Sequence, residues 1–140
     1  MIAPRPAFRV DGGPVLARRL SRLEDAARAA LMVELAAAGE AVADAARAHL
    51  DSEARPPVSR TGTLARSVAV EVRGGADAAR GEVVVGTPLA YGGWLELGTR
   101  RIAAMPWLGP AFRSLAPLLR PRLRTALQRA LVRSASGPAR

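Results

Sequence analysis

The feature that most constrains this chain is a long run of helical periodicity between Pro14 and Asp51. Apolar residues recur there at three- and four-residue intervals: Leu16, Leu20, Leu23, Ala27, Leu31, Leu35, Ala38, Val42, Ala46 and Leu50. Arg18, Arg22, Glu24, Asp25, Arg28 and Asp44 fall mostly off that stripe. Pro14 stands where a first helical residue would, since its missing N–H is not needed there. A single helix of this extent is about 55 Å long. That exceeds the width of a compact domain of this size. The helix is therefore expected either to bend near Gly39 or to pack part of its length on another subunit. Its many alanines permit close helix contact.

The 140 residues suit one domain. Residues 1–13, with Pro4, Pro6, Gly12 and Gly13, read as a flexible arm. Residues 14–134 read as a single α+β domain and residues 135–140 as a disordered tail. A loop over 52–60 leads to Thr61, a candidate N-cap for a short helix carrying Leu64 and Val68. Val68, Val70 and Val72 then alternate with Ala69, Glu71 and Arg73, the pattern of a half-buried strand. Glu82 to Gly86 is a second strand, and Gly74 to Gly81 turns the pair into an antiparallel hairpin. Two strands are marginal alone and need the long helix, a further strand or a neighbouring chain. Leu89 to Leu97 forms a short helix stopped by Gly98. Pro110 opens a basic C-terminal helix running to about Arg133, with Pro117 and Pro121 kinking it or splitting its first turns.

Charge is distributed unevenly. The formal net charge is +9, from 21 basic and 12 acidic residues, and every basic residue is an arginine. A high-GC genome accounts for arginine replacing lysine, but not for where the charge lies. Residues 1–99 hold 12 arginines and 12 acids, whereas residues 100–140 hold 9 arginines and no acid. In the C-terminal helix Phe112, Leu115, Leu119, Leu123, Ala126 and Ala130 form an apolar stripe. Arg113, Arg120 and Arg124 flank it on one side, and Arg122, Arg129 and Arg133 on the other. Three readings stay open: a solvated face, an acidic protein partner gripped by guanidinium forks, or non-specific contact with DNA phosphates. The DNA reading ranks below the protein one. A membrane-surface helix ranks last, because prolines interrupt the stripe. No run of eighteen apolar residues occurs, so no membrane span is expected. Met1 to Val10 does not read as a secretory signal.

Catalytic chemistry finds little support. The chain has no cysteine and one histidine, His49, so disulfides, thiolate sites and multi-histidine zinc sites are excluded. A Ser-His-Asp arrangement would have to use His49, which sits on a helix flank beside Leu50 and reads as structural. No phosphate-binding glycine motif is present. Glu96 has no second acid beside it. Its ordinary reading is a hydrogen bond to loop backbone or an ion pair with Arg100 or Arg101. The chain is expected to be no enzyme and to carry no metal and no cofactor.

The run Tyr91-Gly92-Gly93-Trp94-Leu95-Glu96-Leu97-Gly98-Thr99 is followed by Arg100, Arg101 and then Pro106-Trp107-Leu108-Gly109-Pro110-Ala111-Phe112. Tyr91, Trp94 and Leu95 share a helix face. Trp107, framed by prolines, is a large apolar anchor, suited either to docking the C-terminal helix or to a subunit contact. Together these runs resemble the signature of a tailed-phage neck and tail-completion family, typified by the gene-ten product of an HK-type lambdoid phage. That family has a Tyr-Ala-x-x-x-Glu-x-Gly-Thr run, matched by Tyr91, Glu96, Gly98 and Thr99. Its Pro-aromatic-Leu-x-Pro-Ala run is matched by Pro106, Leu108, Pro110 and Ala111. An upstream Thr-Gly-x-Leu-x-x-Ser element is matched by Thr61, Gly62, Leu64 and Ser67. The resemblance spans roughly residues 14–134. Gly92 departs from the usual alanine, Trp107 from the usual phenylalanine, and Gly109 stands where a polar or basic residue is common.

The resemblance implies a virion structural protein that joins head and tail, acting as a homo-oligomer, with a hexameric ring favoured. Its implied neighbours are neck, tail-terminator or tail-tube proteins, with possible non-specific contact to DNA in the channel and none to membrane. It would be assembled in the bacterial host cytoplasm and reside in the neck or tail. The expected interface residues are Tyr91, Trp94, Glu96, Arg100, Arg101, Trp107 and Phe112. The six arginines of the C-terminal helix would meet an acidic partner or DNA. The competing reading is a small basic DNA-binding protein using that helix.

Overall fold

The computed structural model describes residues 13–52, 61–74 and 80–136. The expected N-terminal arm, most of the 52–60 loop and the turn between the strands lie largely outside the described residues. The element order is α1 (Gly13–Asp51), α2 (Thr63–Ser67), β1 (Ala69–Arg73), β2 (Glu82–Gly86), α3 (Ala90–Leu97) and α4 (Leu108–Ala135). This is the expected α+β arrangement: a long first helix, a two-stranded antiparallel sheet, a short helix and a long basic last helix.

Helix α1 runs unbroken through all 39 residues. The helix continues through Gly39. A Cβ built at Gly39 would fall 2.4 Å from Val83 Cγ1 and 2.9 Å from Val70 Cγ1. Glycine is there because the hairpin rests directly on the helix backbone. The two strands pair in a register that sets Val70 opposite Val85 and Val72 opposite Val83. Val70 and Val83 thus straddle Gly39, while Val72 stays exposed. Glu71 and Arg73 pair along β1, and that contact holds the Glu71 carboxyl below its ordinary range. The pair is fully exposed and adds little to stability.

Helix α4 packs on α1, with Arg122 reaching Glu34 at 3.0 Å. Ala130 is buried, and a groove brings it beside Ala26 and Ala30, so the two helices run antiparallel. The expected stripe of Leu115, Leu119, Leu123, Ala126 and Ala130 does face inward, but Phe112 is 52 % exposed. Pro117 and Pro121 neither split nor end the helix. Both lie on its exposed side, away from the packed stripe, where water can take the carbonyls their missing N–H groups leave unpaired. The helix also starts two residues before Pro110 and runs on to Ala135, the first residue of the expected tail.

The core is small and rich in alanine. Ala43, Ala46, Leu50, Leu64, Ala65, Val68, Trp107 and Ala111 form one buried cluster, and Trp107 and Leu50 are its largest fully buried members. Thr61 is not the N-cap of α2. Gly62 takes that place at φ 66°, a left-handed conformation that explains the glycine of the Thr-Gly element. Val68 closes the helix as its C-cap and points into the core. Arg47 ties α1 to the start of the sheet by donating to the Val68 carbonyl at 2.8 Å.

Candidate assembly interface

The segment from Tyr91 to Phe112 forms a corner in which α3 hands the chain to α4. A helix N-terminus leaves four backbone N–H groups without partners inside the helix. At α4 these belong to Trp107, Leu108, Gly109 and Pro110. Glu96 Oε2 accepts from Trp107 at 2.7 Å and from Leu108 at 2.8 Å, and Oε1 accepts from Gly109 at 2.8 Å. Pro110 has no N–H to satisfy. One carboxylate and one proline thus account for the whole first turn, and the carboxylate's charge suits the positive end of the helix dipole. Glu96 makes the expected bond to backbone; it makes no ion pair with Arg100 or Arg101 among the described residues.

The rest of the corner is held by backbone. Gly98 ends α3 at φ 76°, donating to the Trp94 carbonyl at 2.9 Å. Thr99 Oγ1 accepts from the N–H groups of Arg101 and Ile102, and Met105 donates to the Leu95 carbonyl at 2.7 Å. Trp107 Nε1 donates to the Gly92 carbonyl at 3.0 Å, pinning the indole beneath α3. These bonds give Glu96, Gly98 and Thr99 a physical task each.

Space is short at two glycines of this segment. A Cβ at Gly92 would come within 2.5 Å of Thr87 Cγ2 and 3.6 Å of the Trp107 ring. A Cβ at Gly109 would sit 2.8 Å from Glu96 Oε1.

The expected interface residues separate into two groups. Glu96 is half-buried and Trp107 is 2 % exposed, so both are occupied inside the chain and Trp107 offers no surface to a partner. Leu95, expected to share a face with Tyr91 and Trp94, packs on the core instead. Tyr91, Trp94, Arg100, Arg101 and Phe112 are exposed, joined by Leu97 and Ile102, which sequence reasoning did not single out. Arg113, Arg120, Arg122, Arg124, Arg129 and Arg133 are all exposed, and only Arg122 meets a carboxylate among the described residues.

Two further residues escaped the sequence reading. Ser67, known only as a motif position, donates to or accepts from Thr87 at 2.6 Å, and Thr87 accepts from the Leu89 N–H at 3.1 Å. This bridge joins α2 to the start of α3, and the spacing between Ser67 and Thr87 carries no local signal for it.

Among the described residues no group of three His, Asp or Glu side chains is placed to hold a metal ion. None of their helices is long and apolar enough to cross a membrane.

Residues 15–98 match the HK97-gp10-like family, described as a bacteriophage tail component. The match takes in α1, the Thr-Gly element, the hairpin and α3, and ends at Gly98. The proline-framed run and α4 lie beyond it. No curated protein and no solved structure matches the chain. A match over more than half of the sequence, with the Tyr-Glu-Gly corner built as described, settles kinship: the chain belongs to the HK97-gp10-like family of bacteriophage tail components.

Proposed function

We propose that this chain, a viral structural and assembly protein by its family, joins head and tail as a tail-completion or head–tail connector subunit. It acts by protein–protein assembly, without catalysis. The observation that carries this reading is the balance of buried and exposed apolar side chains. Among the described residues only Val42, Leu50, Leu64, Val68 and Trp107 are buried apolar residues larger than alanine, whereas 13 large hydrophobics stand exposed. Tyr91, Trp94, Leu97, Ile102 and Phe112 cluster at or beside the rigid corner held by Glu96. Exposed apolar groupings of this kind mark contact surfaces.

In place, the subunit forms a homo-oligomeric ring, with a hexamer favoured, and meets neck, tail-terminator or tail-tube proteins through Tyr91, Trp94, Arg100, Arg101 and Phe112. It is assembled in the host cytoplasm and resides in the virion. Mass measurement of the purified chain, alone and mixed with tail-tube and neck proteins, tests the reading. An oligomer or a mixed complex is expected. A strict monomer that binds none of them overturns it.

A second reading, non-specific contact with DNA, is favoured by five exposed α4 arginines that lack a carboxylate partner among the described residues. It requires binding whose logarithm falls linearly with the logarithm of salt concentration, and which weakens when Arg120, Arg124 and Arg129 are neutralised. No retention of DNA at low salt removes it.

A further inference from the structure

Helices α1 and α4 leave an open groove between them, about 490 Å³ in volume. Its walls carry Ala26, Ala29 and Ala30 from α1 and Ala126 and Ala130 from α4. The five alanines carry nothing past a methyl group, so another helix can approach closely there; Val33, Glu34 and Ser134 also line the groove. Arg129 and Arg133 rim the groove, and Arg122 stands on the same side of α4 one turn and more before them. Arg129 and Arg133 meet no carboxylate among the described residues.

Elsewhere on the same chain lies a surface of opposite character. The exposed face of α1 beyond residue 36 presents Glu40, Asp44 and Asp51 in one stripe. Ala37, Ala41 and Ala48 run along its flank. Glu40 and Asp51 have no ion-pair partner among the described residues, and Asp44 contacts only Arg47 of its own helix. This face is too far along α1 to reach its own chain's groove, which adjoins residues 26–34.

The spacings match. Glu40, Asp44 and Asp51 follow one another at intervals of four and seven residues. Arg122, Arg129 and Arg133 follow at seven and four. Laid antiparallel, the two helices align all three pairs together: Asp51 with Arg122, Asp44 with Arg129, Glu40 with Arg133. Arg122 already holds Glu34, but a guanidinium has five N–H donors and can serve two carboxylates.

We propose that the α1–α4 groove takes the acidic face of α1 from a second copy of this chain, antiparallel to α4. The contact is heterologous, since groove and acidic face are different surfaces, and repeated contacts of that kind generate rings or filaments. The inference rests on the oligomeric part of the function proposed above and names its interface. The other arginine row, Arg113, Arg120 and Arg124, has the same seven-and-four spacing. None of these three arginines lines the α1–α4 groove.

The test is charge reversal at Glu40 and Arg133, which have no ion pair to disturb among the described residues. Sedimentation should show an oligomer that loosens as salt rises. Glu40→Arg and Arg133→Glu should each raise its dissociation constant on the order of tenfold or more, and the double variant should recover most of the loss. Arg124→Glu, on the other row, should leave assembly unchanged. Circular dichroism checks that each variant folds.

A second arm uses the absence of native cysteine. A chain carrying both Glu40→Cys and Arg133→Cys should oxidise into ladders linked between copies. The proposal is overturned by a wild-type monomer, by single reversals without effect, by failure of the double variant to recover, by an equal effect of Arg124→Glu, or by absence of the ladder. A wild-type monomer that still binds tail or neck proteins would remove this interface and leave the head–tail reading standing. The expected oligomer without such binding would do the reverse.

Discussion

The carboxylate of Glu96 accepts the backbone N–H of Trp107 at 2.7 Å, so a side chain from the last turn of α3 also begins α4. Leu108 and Gly109 donate to the same group. This is helix capping delivered from a separate helix, and it fixes the direction in which α4 leaves the corner.

Removing that carboxylate should loosen the corner. Glu96→Ala leaves three N–H groups at the helix start without their acceptor, at an expected cost of about 3 kcal/mol. Glu96→Gln keeps one acceptor oxygen, enough for Trp107 and Leu108 but not for Gly109, and should cost about half as much. Urea denaturation of both variants measures the difference. Equal losses would mean that the bond to Gly109 carries no weight.

Gly92→Ala sets two effects against each other. Alanine favours a helix over glycine by about 1 kcal/mol. The new methyl would meet Thr87 Cγ2 at 2.5 Å, and overpacking of this kind costs about 1–3 kcal/mol. Net destabilisation is expected. Thr87→Ser removes the offending methyl but keeps the hydroxyl that bonds Ser67 and Leu89, so it should rescue Gly92→Ala. A double-mutant cycle by thermal unfolding reads the coupling directly.

Pro117 and Pro121 sit inside a continuous helix on its exposed side. A proline in a helix interior costs about 3 kcal/mol relative to alanine. Pro121→Ala should therefore stabilise the isolated chain, by about 1 kcal/mol or more, and raise its helical signal. Denaturation monitored by circular dichroism checks both. If stability does not rise, α4 already accommodates the proline without strain.

The α4 arginines should be dispensable for folding. Arg113, Arg120 and Arg124 are exposed and unpaired among the described residues, so alanine at each should change stability by no more than about 0.5 kcal/mol. Arg122→Ala breaks the contact with Glu34, but Arg122 is 55 % exposed and the loss should stay below about 1 kcal/mol. Chemical denaturation of the four variants is the check. Assembly defects in them would then report on surface contacts and not on a damaged core.

Some of this was legible before any coordinates. The periodicity from Leu16 to Leu50 predicts α1 almost to the residue, because helical spacing is a local property repeated many times. Alternation in Val68 to Arg73 likewise predicts β1, and Gly98 ends α3 as expected. Glu96 could be assigned a structural role for want of a second acid, and bonding to loop backbone was one of the two roles foreseen. What local pattern cannot show is long-range satisfaction. The start of α4 was placed at Pro110 because its true cap comes from Glu96 in another helix. Thr61 looked like an N-cap by residue type, but the chain turns at Gly62 instead. Gly39 looked like a hinge along α1, because only the folded hairpin reveals that it is a seat. Trp107 suited an interface and a core equally by composition, and burial beneath Gly92 decides that it belongs to the core.

The unbroken first helix has one more consequence. Val15, Leu16 and Leu20 are exposed in its first turns, ahead of the first buried position at Ala38. A short stretch of helix without tertiary cover is only marginally stable in water. Its amide hydrogens should exchange quickly with solvent in the lone subunit, far faster than those around Ala43 and Ala46. Whatever covers that end in an assembled particle would slow them. The first turns of α1 are thus a built-in gauge: their exchange rate distinguishes a subunit still free from one already in place.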